Sequence, residues 1–436
     1  MRFFLLLQFI TFLFHLTTIP VLFATAAYDY DWVSRHLGAR SPYNQGAASS
    51  TDPVLKQYDI EQIQIVFRHG TRFPNEGDKE DMINMANILA SSKNDTVSWA
   101  KQFNPDDYPN DQFDQLTDNG EKELHQIGLR MGKKYSQLRS QVAQGDKFVQ
   151  LKNIASDYPR TVRSGTAFTK GFFEGVASNI PMTKLGPEQD TTIHLTSNCP
   201  EYEAEVGKTP KKEMNAYISK AFPISAERLK KDLGVDVAPA DVYAILLSCA
   251  YEASIYHRVN TFCSILSKED YAMSEYTFDI KYSHKYTYPH PINSLMACDL
   301  VKEITADLDG AYQENQNAPR LSFKHGHSMT VLPLATRLGI HKDDFLLTAD
   351  VSQDQIANRL FRTSEDDMYG ANIMFQLLSK KGTKEKYVRI LLSEVPTVLP
   401  GCDTEICPYE TFKSVVEPLL QCNREEACQG NGGEKK

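Results

Sequence analysis

After residue 22 the sequence lacks any apolar run long enough to span a bilayer. Basic residues are also in deficit, because 47 Lys and Arg stand against 56 Asp and Glu and the formal net charge is -9. The chain has no Cys-x-x-Cys motif, no Cys/His cluster, no repeat and no low-complexity tract. These absences argue against a broad nucleic-acid surface, a zinc module and a fibrous or disordered chain. A small anionic ligand stays possible, since a few converging arginines can set the local field.

The one long apolar run lies at the start of the chain. Met1 and Arg2 precede an apolar stretch to about Leu22, and Ala24-Thr25-Ala26 offers the small residues that signal peptidase accepts. We interpret residues 1–26 as a cleaved signal peptide, with an uncleaved signal anchor as the alternative. The C-terminus carries no Lys-Asp-Glu-Leu-type retrieval signal, so we expect secretion rather than retention in the endoplasmic reticulum.

An even set of cysteines fits an oxidising compartment. There are eight, so up to four disulfides are expected. Short loops nominate three pairs, although sequence alone does not fix the pairing: Cys249 with Cys263, Cys402 with Cys407, and Cys422 with Cys428. Asn94, in Asn94-Asp95-Thr96, is a candidate glycosylation site.

Strand and helix signals alternate at both ends of the chain. Ile63, Ile65 and Phe67 alternate with glutamines and predict a strand that ends at Arg68, and a helix begins near Thr117 or Asp118. Further strand signals lie at 149–155, 320–324 and 387–392, whereas residues 164–298 look mainly helical and irregular. This pattern predicts an α/β fold with a sheet core flanked by helices and an inserted, mainly helical cap. We expect a discontinuous core at 55–165 and 300–402, a cap at 166–299 and a C-terminal segment at 403–436.

The stretch from Arg68 to Pro74 carries the clearest chemistry. Arg68 and Arg72 bracket His69, and Gly70 lets the backbone approach an anion closely. A phosphate monoester needs fixed cations around its oxygens, a nucleophile opposite the leaving oxygen and a proton source. Neutral histidine can attack phosphorus directly and form a phosphohistidine that water later hydrolyses.

The heptapeptide Arg-His-Gly-Thr-Arg-Phe-Pro at 68–74 resembles the signature of the histidine acid phosphatases, branch two of the histidine phosphatase superfamily. Segments 116–120 and 156–164 are similar to that family's Leu-Thr-x-x-Gly and Asp-x-x-Arg-Thr-x-x-Ser segments. The resemblance implies that His69 is the nucleophile and that Arg160 joins Arg68 and Arg72 in holding phosphate, whereas Arg163 is structural or solvated. It also implies a second histidine in the site, His327, and no metal or cofactor.

Three less specific passages resemble the multiple inositol polyphosphate phosphatases, a subgroup that includes phytate-degrading enzymes. They are 36–43, 249–263 and 387–402. The implied substrate is therefore a small phosphate monoester such as phytate. Six lysines of the cap are candidates for a polyphosphate pocket, although each alone is more often solvated: Lys208, Lys211, Lys212, Lys220, Lys230 and Lys231.

The sequence departs from the family pattern just after His327. That family places an acid there, as His-Asp or, in the inositol polyphosphate subgroup, as His-Ala-Glu, whereas this chain has Ser328 and then Met329. Methionine cannot donate a proton, so the general acid is expected to be impaired or relocated. His325 is a candidate helper, but a surface histidine is the favoured interpretation. The acidic turn at 364–367 is also expected to be exposed.

These residues predict a phosphomonoesterase that acts in two displacement steps. Two alternatives stay open: a phosphate-ligand-binding pseudoenzyme with weak turnover, because Met329 replaces the acid, and a broad-specificity acid phosphatase. The sequence does not give the oligomeric state.

Overall fold

The computed structural model describes residues 29–43 and 52–429, so the predicted signal peptide lies outside the described residues. Its strands are β1 (Tyr58–Arg68), β2 (Ala143–Gln144), β3 (Lys147–Phe148), β4 (Leu151–Ser156), β5 (Thr183–Leu185), β6 (Leu321–Gly326), β7 (Asn372–Lys380), β8 (Lys386–Leu392), β9 (Val395–Thr397) and β10 (Ile406–Pro408).

The α-helices are α1 (Tyr30–Ser34), α2 (Glu76–Ala90), α3 (Asp118–Lys134), α4 (Ser136–Val142), α5 (Pro159–Phe172), α6 (Pro200–Glu205), α7 (Thr209–Ala221), α8 (Pro223–Leu233), α9 (Pro239–Tyr256), α10 (Lys268–Tyr286), α11 (Pro291–Met296), α12 (Cys298–Tyr312), α13 (Ser328–Arg337), α14 (Gln353–Asn358), α15 (Thr363–Asp366), α16 (Tyr409–Leu420) and α17 (Arg424–Gln429). Short 3-10 helices lie at Gly38–Arg40, Pro53–Lys56, Asp95–Gln102, Pro105–Asp107, Asn110–Gln112 and Phe262–Ile265.

One mixed sheet organises the fold. Its strands run in the order β10-β8-β7-β1-β6-β4-β5, and β9 pairs with β8. Strands β1, β6, β4 and β5 are parallel to their neighbours in that order, whereas β7 and β8 are antiparallel. Helices cover both faces, which confirms the predicted α/β fold with flanking helices.

The alternation in β1 explains how the two faces differ. Ile63, Ile65 and Phe67 pack into an apolar cluster with α3 and α5. On the other face, Gln64 is buried and its amide donates to the carbonyl of Ile304 in α12, at 2.9 Å. The polar face of β1 is therefore covered by a helix rather than solvated. The hydrogen bond to Ile304 offsets part of the free-energy cost of burying the Gln64 amide.

Helices α6 to α12 lie between β5 and β6 and fill much of the second apolar cluster. We propose that this helical region is the cap. Strand β5 itself lies within residues 166–299, and β10 lies within 403–436, so the sheet takes a strand from each of these predicted segments. Among the described residues, no helix combines the length and the apolar character needed to cross a bilayer.

Four disulfides link the described cysteines. The structure pairs Cys249 with Cys263 and Cys402 with Cys407, but the nominated pairing of Cys422 with Cys428 is wrong. The bonds that form instead are Cys199–Cys428 and Cys298–Cys422, which span 229 and 124 residues. They join α17 and the end of α16 to the helical region. Cys422 and Cys428 therefore pair with distant cysteines, although they are close to each other in the sequence. This set of disulfides fits a secreted or lumenal protein.

The predicted glycosylation site is half-buried. The Asn94 side-chain amide donates to the carbonyl of Asp232 at 2.8 Å, and its oxygen accepts from the backbone of Thr96 at 2.9 Å. A glycan on Asn94 stays a prediction.

Candidate active site

The ends of three neighbouring strands bring the predicted residues together. Arg68 ends β1 and is in register with Gly326, which ends β6. Strand β4, on the other side of β6, leads into α5, where Arg160 is the second residue. Because parallel strands present their carboxyl ends at one edge of the sheet, His69, His327 and Arg160 meet there.

His69 is buried with a defined tautomer. Its Nδ1 lies 2.9 Å from the carbonyl oxygen of Gly70 and can only donate to it, so the lone pair of the neutral ring is on Nε2. Burial, Arg160 and Arg68 hold the pKa of His69 well below its ordinary value. The ring is therefore neutral over a wide range of acidic pH, as a histidine nucleophile requires.

Gly70 is required by packing. A Cβ at this position would lie 2.5 Å from the carbonyl oxygen of Gly120 and 2.7 Å from Leu124 in α3. The close approach expected from the sequence is therefore made to α3, whose N-cap Thr117 donates to the carbonyl of Thr71 at 2.9 Å. This contact holds the loop that follows β1.

Arg68 is fully buried and held on one side. Its Nη1 donates to the carbonyl of Ala39 at 2.7 Å and to that of Asp367, and the guanidinium lies 4.7 Å from the ring centre of Tyr369. These contacts leave Nε buried with no hydrogen-bond partner among the described residues.

Arg160 and His327 face each other. The Nη2 of Arg160 lies 3.4 Å from His327 Nδ1, and a guanidinium can only donate, so the proton of the neutral His327 ring is on Nε2. Burial and then Arg160 lower the pKa of His327 well below its ordinary value. His327 also caps α13, which places the positive end of that helix dipole at the site.

Three buried donors at this edge of the sheet have no partner among the described residues. They are Arg68 Nε, Arg160 Nε and His327 Nε2. Unpaired buried donors are costly, so their convergence indicates a site for an anion. The centres of the His69 and His327 rings are 5.7 Å apart, so the His69 ring lies beside these donors.

Arg72 joins this group from the loop after β1. Its Nη1 donates to the carbonyl of Phe73 at 2.7 Å and pairs with Asp114 at 2.8 Å. Its charge, with that of Arg68, helps to lower the pKa of Arg160, after burial. The three arginines Arg68, Arg72 and Arg160, called the clamp below, therefore concentrate positive charge. A bound anion would reduce the repulsion among them.

Arg163 is bound to α3 instead. It donates to the carbonyl of Leu116 at 2.8 Å and to Glu121 at 2.9 Å. Its side chain therefore makes structural contacts, as expected from the sequence, which separated Arg163 from the phosphate-holding Arg160.

A second basic group lies next to the clamp and was not singled out from the sequence. Arg40 is buried, donates to the hydroxyl of Tyr282 at 3.3 Å and lies 5.4 Å from the ring centre of Tyr251. Lys281 lies close to Arg40 and Tyr282. Although burial raises the pKa of Tyr282, Arg40 and Arg68 bring it down to about 8. One indication of this group was present in the sequence: Arg40 and Tyr251 lie in the passages 36–43 and 249–263, which resemble the multiple inositol polyphosphate phosphatases.

The six nominated lysines are solvated. All are exposed, and Lys220 and Lys230 pair with Asp350 and Asp236. A role for them in a polyphosphate pocket stays a prediction, whereas Arg40 interacts with Arg72, and Lys281 with Arg40, in the structure.

His194 was also missed. Its ring stacks on Tyr158 at 5.0 Å and meets the edge of His327 at 5.0 Å, and its Nδ1 lies 2.6 Å from the hydroxyl of Ser197. The region is irregular, which is why no periodicity marked it.

The favoured interpretation of His325 as a surface histidine is wrong. It is 1% exposed, its Nε2 lies 3.1 Å from Asn153 Oδ1, and its ring stacks on Phe67. Burial lowers its pKa to about 3. The contacts of its ring are with the core formed by α5 and β1.

The acidic turn was expected to be exposed, but among its residues only Glu365 is. Asp366 and Asp367 are 3% and 0% exposed. Asp366 pairs with His341 at 2.7 Å, and the Asp367 carboxylate lies 3.5 Å from Arg68 Nη1. The contact with His341 offsets the cost of burying Asp366, whereas burial outweighs the effect of Arg68 on Asp367. Met329, in turn, is half-buried and its sulfur accepts a hydrogen bond from Thr196 at 3.1 Å.

Comparisons with known proteins agree on one family. A model of the histidine phosphatase superfamily (branch 2) matches residues 59–393. Multiple inositol polyphosphate phosphatase 1 of Gallus gallus is 28% identical over 92% of this chain and 91% of its own. The phytase from D. castellii superposes with a TM-score of 0.77 at 18% identity, over 92% of this chain and 88% of that one. A Bifidobacterium longum multiple inositol polyphosphate phosphatase in complex with inositol hexasulfate has a TM-score of 0.68 at 16% identity, over 91% and 99%.

Proposed function

This chain belongs to branch 2 of the histidine phosphatase superfamily and is a phosphoric monoester hydrolase, and we propose that it dephosphorylates inositol polyphosphates through a phosphohistidine on His69. The observation that supports this most directly is the convergence of a neutral His69 with three buried donors that lack partners among the described residues.

In this proposal each residue has a role in the first displacement. Arg68, Arg72, Arg160 and His327 hold the oxygens of the phosphoryl group, and their charge compensates the negative charge of the transition state. The lone pair on His69 Nε2 then attacks phosphorus as the ester oxygen leaves. In the second displacement, water attacks the phosphohistidine and releases phosphate.

The inositol polyphosphate substrate class is supported by charge beyond the clamp. Arg40 and Lys281 extend positive charge past the site of the reacting phosphate, and a ring that carries several phosphates presents further anionic groups to meet it. The names of the related proteins point to the same class. We further propose that the protein is secreted.

Phosphate release from phytate and from p-nitrophenyl phosphate, measured beside direct binding of phytate, tests the proposal. An inositol polyphosphatase has the higher kcat/KM on phytate. A broad acid phosphatase has similar values on both substrates, and a pseudoenzyme binds phytate without releasing phosphate. Acid-quench trapping with labelled substrate should place the label on His69, and a label on any other residue contradicts the assignment.

A further inference from the structure

Asp367 is a buried acid next to the candidate active site. It follows α15 in a loop that is tied to the nucleophile, because the backbone N–H of Gly370 donates to the carbonyl of His69 at 3.0 Å. Tyr369, from the same loop, lies near both Arg68 and His69, with its ring centre 6.1 Å from that of His69. The carboxyl of Asp367 is therefore held close to the clamp.

The surroundings of this carboxyl are unusual. It is fully buried, Arg68 Nη1 lies 3.5 Å away, and the Ser328 hydroxyl is close enough to lower its pKa. Even so, no well-formed hydrogen bond reaches either carboxylate oxygen from the described residues. A carboxyl held only as a structural anchor would be expected to have its oxygens satisfied, so this one is available for a further partner.

Ser328 adjoins both Asp367 and His327. It is the first residue of α13, directly follows His327, and is 9% exposed, whereas Asp367 is 0% exposed. The neighbouring Met329 directs its sulfur to Thr196 and has no proton to give. Of these two residues after His327, Ser328 alone can carry a proton.

On the basis of the proposed phosphatase function, we propose that Asp367 and Ser328 form a proton relay to the leaving oxygen. As the P–O bond of the ester breaks, the Ser328 O–H proton passes to the leaving oxygen and the Asp367 O–H proton passes to Ser328 Oγ. Asp367 is left as a carboxylate. When water attacks the phosphohistidine, its proton returns through Ser328 to Asp367, so the cycle closes with no co-reactant.

The charge environment suits a proton donor. Burial raises the pKa of Asp367 to about 6, against the opposing effects of Arg68, Ser328 and Arg40, and Asp366 raises it further. Tyr282 and Tyr286 of α10 also interact with it electrostatically. Because the acid form is the active one, turnover of alkyl esters is expected to be highest below about pH 6 and to fall above it.

Leaving-group dependence separates a relay from a structural contact. An alkoxide needs the proton, whereas a nitrophenolate leaves nearly unaided. The relay predicts that Ser328→Ala and Asp367→Asn each lower kcat on phytate and glycerol 2-phosphate by about a hundredfold, and lower kcat on p-nitrophenyl phosphate far less. The decline of alkyl-ester turnover above about pH 6 should disappear in Asp367→Asn.

Two further variants sharpen the test. Asp366→Asn removes the neighbouring buried carboxyl, which faces His341, and should keep the leaving-group dependence of the unmodified protein. Met329→Glu should restore alkyl-ester turnover in the Asp367→Asn background, because it supplies a carboxyl beside the blocked relay.

Equal losses on all three substrates, or no loss in Ser328→Ala, would overturn the relay. Failure of the unmodified protein to act on phytate while it hydrolyses glycerol 2-phosphate would instead refute the proposed substrate class, and the relay would still be decided on the other two esters.

Discussion

Replacing His325 with glutamine is expected to make the fold less sensitive to acid. The imidazole is buried between Phe67 and Phe168, and its polar contact is with Asn153. Burial holds the pKa of His325 at about 3, so the folded protein does not protonate this ring at moderately acidic pH. The unfolded chain protonates it at its ordinary pKa.

The magnitude follows from this difference in pKa. An unfolded histidine binds a proton below about pH 6.5, so the free energy of unfolding falls as the pH drops from there towards 3. Near pH 5 this one residue lowers the free energy of unfolding by about 2 kcal/mol relative to neutral pH, and by about 4 kcal/mol near pH 3.

Urea unfolding followed by tryptophan fluorescence, at neutral pH and near pH 5, measures the effect. His325→Gln costs stability at both pH values because ring packing is lost, but its loss on acidification should be about 2 kcal/mol smaller than that of the unmodified protein. Phe67→Leu is the control, since it disturbs the same packing without removing a titrating group and should shift both measurements equally. The same pH dependence in His325→Gln as in the unmodified protein would refute the reasoning.

Three other predictions follow from the site and the disulfides. His69→Ala should abolish turnover of phytate and of p-nitrophenyl phosphate while circular dichroism shows an intact fold, because the imidazole is needed as a nucleophile. Arg160→Ala should lower kcat/KM on every ester by weakening the clamp, whereas Arg163→Ala, which loses only contacts to α3, should keep kcat and cost about 1 kcal/mol or less in stability. Intact-mass measurement of the mature protein should show no cysteine alkylated without prior reduction; alkylation of all eight would contradict the four disulfides.

Elements with a local signal were predictable from the sequence. The alternation of Ile63, Ile65 and Phe67 predicted β1 because one face of that strand meets α3 and α5. Thr117 predicted the start of α3, since its hydroxyl accepts from the backbone of Gly120 at 3.0 Å. Both signals depend on neighbours in the chain, and both were confirmed.

Elements defined by distant contacts were not predictable. Strand β7 is central in the sheet, between β1 and β8, and its residues 372–378 are all buried. A strand covered on both faces has no alternation to detect, and its antiparallel direction depends on packing between distant segments. The same limit applies to Cys199 and Cys428, whose bond brings together residues 229 positions apart.

In the candidate site too, residues with a local sequence signal were predictable and residues defined by distant contacts were not. The heptapeptide at 68–74 predicted the candidate nucleophile and two arginines because all three lie in one short segment. The relay could not be inferred, because Asp367 lies in a run of acidic residues that ordinarily indicates a solvated turn. It is buried because Arg68 and the loop at Ala39 close over it, and those contacts exist only in the folded chain. Met329 alone therefore indicates a lost acid, whereas the burial of Asp367 beside Ser328 is the observation from which we propose a relocated acid.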